Sequence, residues 1–429
     1  MRRRIVITGM GVITPLGHTV EELFRALIAG ESGVGPITRF DASTFPTTFA
    51  SEVRGFDLAR YVPRPEVWKH ACEASKFAVA ASRIALADAG LLVSGAERER
   101  FGVYMGTGEA TQEVQLLMSV IARCYDPRTR TLDSLEMGRL GTPAYTPGKQ
   151  HEQELHLLTA HIAEEFDLLG PNYSCLTACA AGTQAIGEAL ELIRQGDADL
   201  VLAGGAHSMV YPVGVTGFSL LSALSKRNDA PTRASRPFDR LRDGFVVGEG
   251  AGVVILEELE HARARGATIH AELTGYGSTA DAFRVTDSHP EGRGATSCMR
   301  QALADARLAP EVIGYINAHG TSTRVNDLSE TIAIKRVFGE YAYRVPVSSS
   351  KSMLGHLIGA AGAVELIIGI MAMREGVLPP TINYENPDPD CDLDYIPNVP
   401  RVAQARHVLS NSFGFGGQNA SLIVSRFSG

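Results

Sequence analysis

The sequence predicts an α/β architecture with sheets buried on both faces, and three observations predict it. Short runs of Val, Ile and Leu recur along the chain, and stretches with helical spacing separate them. Near-continuous apolar strands of this kind belong to sheets covered by helices on either side. The third observation is an internal echo. Each half carries a strand, a loop with a reactive residue, and then a helix of small residues: Cys179 to Arg194 in the first, Lys351 to Arg374 in the second, the latter containing Gly359-Ala-Ala-Gly362.

The elements follow in order. Arg4–Thr8 reads as a strand. The opening Met1–Val12 is apolar only briefly and is broken by Thr8, Gly9 and Gly11, so a first strand is expected there and not a signal peptide. Gly9-Met-Gly11 has the start of a dinucleotide-binding loop, but Thr14 stands in the third glycine's place and no nucleotide site is expected. Ala74–Ala89 is a helix and Phe101–Met105 a strand. Leu200–Ala203 is a strand ending at Gly204-Gly205, and Gly252–Leu256 is another. Glu311–Asn317 leads to His319, and Val345–Ser348 leads to Lys351. Val408–Leu409 precedes a glycine-rich loop, and Ala420–Ser425 is the last strand. Leu357–Met373 is the longest apolar stretch. Glu365 interrupts it and it is rich in Gly and Ala, so it reads as a buried helix rather than a membrane span.

Bulk properties narrow the function. The 429 residues allow one large or two to three ordinary domains. A net charge of −8 argues against a general nucleic-acid binder. Six scattered cysteines form neither a disulfide framework nor a C-x-x-C pair, and a cytoplasmic setting is expected. His151, His156 and His161 step by five and miss the i, i+4 spacing of a helical metal pair.

Four motifs carry the chemistry. Thr177-Ala-Cys-Ala-Ala181 and Gly182 place Cys179 at the start of a helix running from Ala180 to about Gly196. The positive end of that helix favours thiolate over thiol, and the small residues let the helix start pass close to other backbone. His319 lies in Asn317-Ala-His-Gly-Thr-Ser-Thr323. His356 closes Lys351-Ser-Met-Leu-Gly-His356. The fourth motif is the loop Asn411-Ser-Phe-Gly-Phe-Gly-Gly417.

Together these motifs resemble the β-ketoacyl synthases, the condensing enzymes of fatty acid and polyketide assembly, and most strongly the synthase II type that elongates acyl chains on acyl carrier protein. Arg236-Pro-Phe-Asp239, Asp243-Gly-Phe245 and Pro379-Pro-Thr-Ile-Asn383 extend the resemblance over nearly the whole chain. It implies the thiolase fold, two pseudo-repeated halves in a five-layer αβαβα stack, here residues 1–262 with the nucleophile and 263–429 with both histidines. It implies that Cys179 takes an acyl group, and that the backbone N–H groups of Cys179 and Phe415 hold the oxyanion. His319 and His356 would hold the enolate formed when malonyl carrier protein loses carbon dioxide. Lys351 would tune the site with Glu365 as its partner, Thr321 and Thr323 would bind the pantetheine arm, and Phe413 and Phe415 would form the gate loop. Asp327 and Glu330 would brace the His319 loop. No metal or cofactor is implied, because the substrates ride on the phosphopantetheine of acyl carrier protein.

One segment departs from that pattern. From Glu109 to Phe166 the chain is longer and more polar than the resemblance leads one to expect, with Glu152, Glu154, His156, His161, Glu164 and Glu165 in its later helix. The dimer could therefore be a homodimer or a heterodimer with a chain-length factor, and the pathway fatty acid elongation or a type II polyketide or polyene system. A thiolase would need a second cysteine beyond Cys391, a starter synthase would have Asn at His356, and a non-catalytic partner would lack Cys179. Lys69, Arg128, Arg130, Lys226 and Arg227 are candidates for a basic rim that receives the acidic carrier protein.

Overall fold

A computed structural model describes residues 2–92, 98–108 and 114–429; Glu109 lies outside the described residues. The chain builds the same five-stranded unit twice. In the first half the strands are β1 (Ile5–Ile13), β2 (Phe101–Gly106), β3 (Asn172–Cys175), β4 (Leu200–His207) and β5 (Gly250–Glu258). In the second they are β6 (Ala271–Ala280), β7 (Tyr315–Asn317), β8 (Val347–Ser348), β9 (His407–Gly414) and β10 (Gln418–Ser425). Their spatial order is β8-β7-β9-β10-β6-β1-β5-β4-β2-β3. Each half thus reads third-second-fourth-fifth-first, with parallel pairs at its outer edge and antiparallel pairs toward the join. The join is short: β1 and β6 pair only through Val6–Glu272 and Ile7–Ala271.

Helices complete five layers. Helix α1 (Glu73–Asp88) and α2 (Leu157–Phe166) cover the outer face of the first sheet. Helix α3 (Ala181–Gln195) lies inside, against β2 and β4. Helices α4 (Arg293–Ala306) and α5 (Arg324–Phe338) cover the second sheet from outside, and α6 (Ala361–Glu375) lies inside against β9. Helices α3 and α6 pack on each other and touch strands of both halves, so they form the central layer. A helix with apolar neighbours on every side needs no polar face, and α6 is buried from Ala361 through Met373. That is the buried helix expected from the run Leu357–Met373. Among the described residues no helix is long and apolar enough to cross a membrane.

The internal echo has a structural form. Cys179-Ala-Ala-Gly182 and Gly359-Ala-Ala-Gly362 each open with one turn of 3₁₀ helix and pass into a helix of 15 residues ended by a left-handed glycine. The first residue of each turn, Ala178 or Ile358, has a positive φ, of 49° and 48°. The second repeat is not one helix from Lys351: a short helix Lys351–Leu354 comes first, and Gly355 ends it. Two strands run further than their apolar runs suggest. Strand β4 continues through Gly204-Gly205 to His207, because a side chain at Gly205 would meet the Gly359 carbonyl at 2.3 Å. Strand β9 likewise takes in Asn411–Gly414, leaving only Phe415–Gly417 as the turn.

Candidate active site

The three expected reactive side chains come from three elements and meet. Cys179 lies in the turn before α3, His319 just after β7, and His356 after the Lys351–Leu354 helix. The cysteine sulfur and one nitrogen of each imidazole lie within 4.8 Å of one another, and all three residues are buried. The two rings stand edge to face with centroids 5.2 Å apart.

Each side chain is held by its backbone surroundings. The Ile358 N–H donates to His356 Nδ1 at 3.2 Å, so the neutral ring carries its proton on Nε2, and that Nε2 has no hydrogen-bond partner among the described residues. His319 is fixed through its main chain. Glu330 accepts the N–H groups of His319 and Gly320 at 2.9 and 2.8 Å, and Asn411 Nδ2 reaches the same carboxylate at 3.3 Å. Burial pushes Glu330 up to about 7, against the pull of those N–H donors. Asp327 accepts the Phe238 N–H at 2.8 Å and lies 3.5 Å from Arg242, which ties it to the Arg236–Arg242 loop, and the Ser322 N–H of the His319 loop also donates to it. Helix α5 thus turns Glu330 to His319 and Gly320, and Asp327 to Ser322 and the Arg236–Arg242 loop.

The electrostatics favour neutral imidazoles. Burial, with the nearby Lys351 charge and a second histidine, holds both His319 and His356 well below the ordinary histidine range. Lys351 Nζ donates to Glu365, both side chains being fully buried. Burial pushes Glu365 up to about 7, with Lys351 pulling it down. Cys179 departs from the expected thiolate. Burial pushes its thiol up to about 11, against the Phe415 N–H, the Lys351 charge and its own N–H. The helix-start position remains, but desolvation of the sulfur outweighs it at rest. One sulfur and two imidazole nitrogens this close would also suit a soft divalent cation. The Lys351 ammonium, whose field already depresses both imidazoles, opposes a further positive charge there.

Space opens on two sides of Cys179. A throat lined by Phe245, Ser288, Thr321, Thr323, Asn326 and Phe413 leads past both histidines. Thr321 and Thr323 share a hydrogen bond of 2.9 Å between their hydroxyls. Thr323 also borders an outer cavity of about 410 Å³ with Asp243, Asp287 and Arg324. On the other side lies an apolar chamber of about 480 Å³, lined among others by Leu176, Met209, Phe218 and Ile358. Phe415 borders all three spaces. Its strand reaches the nucleophile because Gly414 has no side chain: a Cβ there would stand 3.0 Å from the Thr177 carbonyl and 3.2 Å from the Cys179 nitrogen. Phe413 is buried and faces the His319 ring edge to face at 6.0 Å.

Comparison with known proteins decides the family. The β-ketoacyl synthase N-terminal domain matches residues 2–262 and the β-ketoacyl synthase C-terminal domain matches residues 270–385. The chain belongs to the β-ketoacyl synthase family. A 3-oxoacyl-[acyl-carrier-protein] synthase 2 of Coxiella burnetii is 47% identical over 99% of both chains. Among solved structures, a type II polyketide ketosynthase complex of AntDE with AntF, bound to the hexaketide, superposes with a TM-score of 0.88 at 34% identity over the whole of both chains. The ishigamide ketosynthase/chain length factor does so with a TM-score of 0.86 at 37% identity, again over both whole chains. The fold is the thiolase fold of this family, as its doubled strand order and central helix pair show.

For this β-ketoacyl synthase, sequence reasoning missed His207, which closes β4 and lines the apolar chamber, and Ser288 and Asn326 in the throat. The signal for His207 was a histidine straight after an apolar strand and two glycines, where parallel strands deliver side chains to a site. Of the basic candidates, Lys226 lies near the mouth, its N–H donating to Asp243 at 3.3 Å. Arg324, which borders the mouth itself, was not among them. His161 Nε2 is hydrogen-bonded to Glu152 at 2.9 Å and its ring packs on Trp68.

Proposed function

We propose that this chain elongates acyl chains in fatty acid synthesis by decarboxylative Claisen condensation. An acyl group on Cys179 reacts with malonyl-acyl carrier protein to give 3-oxoacyl-acyl carrier protein and carbon dioxide. The observation that carries the reading is one buried thiol and two neutral imidazoles within 4.8 Å, between an apolar chamber and an open mouth. The name of the Coxiella burnetii relative supports it.

In the first half-reaction the Cys179 sulfur attacks the carrier thioester. A new C–S bond forms, the old one breaks, and the proton of the Cys179 thiol ends on the carrier thiol. The N–H groups of Cys179 and Phe415, both directed at this sulfur, are placed to hold the tetrahedral oxyanion. In the second, the C–C bond to the malonyl carboxylate breaks and its electron pair moves into the thioester as an enolate. His356 Nε2–H and the His319 ring stabilise the enolate oxygen; being neutral, they give hydrogen bonds without giving up a proton. The enolate carbon then attacks the acyl carbonyl, and Cys179 leaves as the thiolate. Lys351, held by Glu365, supplies positive potential to these anionic states. Thr321 and Thr323 bind the pantetheine arm, and Phe415 divides the acyl chamber from the malonyl entrance.

The working unit is a dimer that receives acyl carrier protein at the Thr323 mouth. The halves divide at residues 262 and 263, which fits the strand order restarting at β6. Six unpaired cysteines support a cytoplasmic setting. The AntDE and ishigamide neighbours favour a second reading, the catalytic subunit of a type II polyketide or polyene system paired with a chain-length factor.

Intact-protein mass spectrometry with a panel of acyl carrier proteins, followed by peptide mapping, tests the proposal. An adduct on Cys179 that malonyl carrier protein discharges is expected. An adduct elsewhere, or one that malonyl carrier protein leaves in place, would overturn it.

A further inference from the structure

The throat between the outer cavity and Cys179 holds a polar side chain that the steps above do not use. Asn326 lies in the first turn of α5, is 8% exposed, and lines the throat with Ser288, Thr321, Thr323 and both histidines. The throat encloses only about 40 Å³. A chain threaded through so narrow a passage leaves its water behind, so its polar groups must find partners on the wall.

The amide of Asn326 is set by its neighbour. Its Nδ2 donates to Asp327 Oδ1 at 3.2 Å. Asp327 is fully buried, and the Phe238 and Ser322 N–H groups hold its carboxylate in place. A carboxylate only accepts, so the NH2 end of the amide faces it and Oδ1 stands at the other end. The Nδ2 contact is the one hydrogen bond that the Asn326 side chain makes among the described residues. Oδ1 is therefore an acceptor held in position and not spent on the fold. The Thr321 and Thr323 hydroxyls are bonded to each other at 2.9 Å, which leaves that pair one hydroxyl hydrogen to give. A pantetheine arm carries secondary amides, and each brings one C=O and one N–H. The threonine pair has the donor for a C=O, and Asn326 has the acceptor for an N–H. A buried N–H left without an acceptor weakens binding.

We propose that Asn326 is a further binding residue for the pantetheine arm: its Oδ1 accepts the N–H of the amide nearest the thioester, while the Thr321–Thr323 pair donates to an amide carbonyl. This rests on the reading of the throat as the entrance for malonyl carrier protein.

The test compares two soluble second substrates, malonyl-pantetheine and an isostere in which an ester oxygen replaces that amide N–H. A saturating acyl carrier protein keeps Cys179 loaded, and kcat and KM of condensation are measured for each compound. Wild type should favour the amide by roughly tenfold in kcat/KM. Asn326→Leu, matched in size, should lose that preference by raising KM for the amide, with kcat and the ester's KM little changed. Asn326→Ala should give the same ratio, and decides the matter where the leucine variant does not fold. A wild type whose two values agree within about twofold overturns the proposal. So does a variant that slows amide and ester alike, because a purely structural residue would do that. If loaded wild type condenses with neither compound, the entrance reading falls and this proposal falls with it.

Discussion

Cys179 and His356 should fail differently when removed. Cys179→Ala should abolish condensation, and full elongation by that variant would refute the covalent mechanism. His356→Ala removes one donor to the enolate, and loss of a comparable oxyanion donor costs about 3 to 4 kcal/mol, or 10²–10³ in rate. Malonyl decarboxylation should fall by that much while Cys179 still loads; equal loss of both half-reactions would count against the assignment. The pH dependence follows from burial. His356 in the folded chain lies well below 6.5, so as pH falls through 6.5 the unfolded chain takes up a proton that the folded chain refuses, and stability drops. Replacing it by Asn removes that loss. Denaturation at pH 5.5 and 7.5 should show His356→Asn gaining on wild type as pH falls, by up to about 1.4 kcal/mol per pH unit; a constant difference would show that the ring titrates normally. Glu330 and Glu365, held near 7, work in the opposite direction, since they keep protons between pH 4.5 and 7 that the unfolded chain has lost. The reactive residues were legible because each lies in a short contiguous motif. The state of the sulfur was not, because desolvation depends on what the rest of the fold places around it. The second loop that Asp327 holds, through the Phe238 N–H, was not legible, because nearness along a chain does not say what else a helix turns a side chain toward.

At the level of elements, the alternation of strands and helices could be read from apolar runs, and the strand ends could not. Glycines that look like strand terminators are the residues that let β4 and β9 run into the centre. The packing of α3 on α6 makes the same point. A Cβ at Gly362 would stand 1.8 Å from Thr183 Oγ1 and 2.7 Å from Ser412 Oγ, two hydroxyls already bonded to each other at 2.7 Å. Neither can move without leaving its partner in a buried layer. Gly362→Ala should therefore lower stability by about 1–3 kcal/mol, as overpacking of a dense core does, despite the gain in helix propensity. Urea denaturation measures it, and an unchanged midpoint would mean that the central layer is looser than its geometry. The segment from Val114 to Phe166 was legible only as polar and long. It contains the helices Val114–Cys124, Ser134–Ala144, Pro147–His151 and Leu157–Phe166 and a hairpin of two-residue strands, short elements whose bounds its polar composition did not announce.

At the scale of the whole molecule, the doubled strand order explains why one reactive elbow is enough. The second half keeps the turn and the helix but has Gly359 where the first has Cys179, so it supplies wall and backbone while its loops supply the histidines. The sequence echo was too short to establish this; it became visible only as the order third-second-fourth-fifth-first repeated across the sheet. The two ends of that sheet differ. Strand β8 ends one side with both residues buried, whereas β3 ends the other with Asn172 and Tyr173 exposed, Tyr173 by 51%, and Leu169 and Leu176 exposed beside them. An exposed edge strand with apolar side chains is open to pairing by another chain, and β3 leads directly into the Cys179 turn, so whatever covers it also supports the nucleophile. The proposed dimer should therefore form along β3. Light scattering of the purified chain should give a dimer, and Tyr173→Asp, which puts a charge on that edge, should shift it toward monomer and reduce Cys179 acylation with it. A wild-type chain that is monomeric alone and dimerises only with a chain-length factor would select the heterodimer. A Tyr173→Asp chain that remains fully dimeric would place the interface elsewhere.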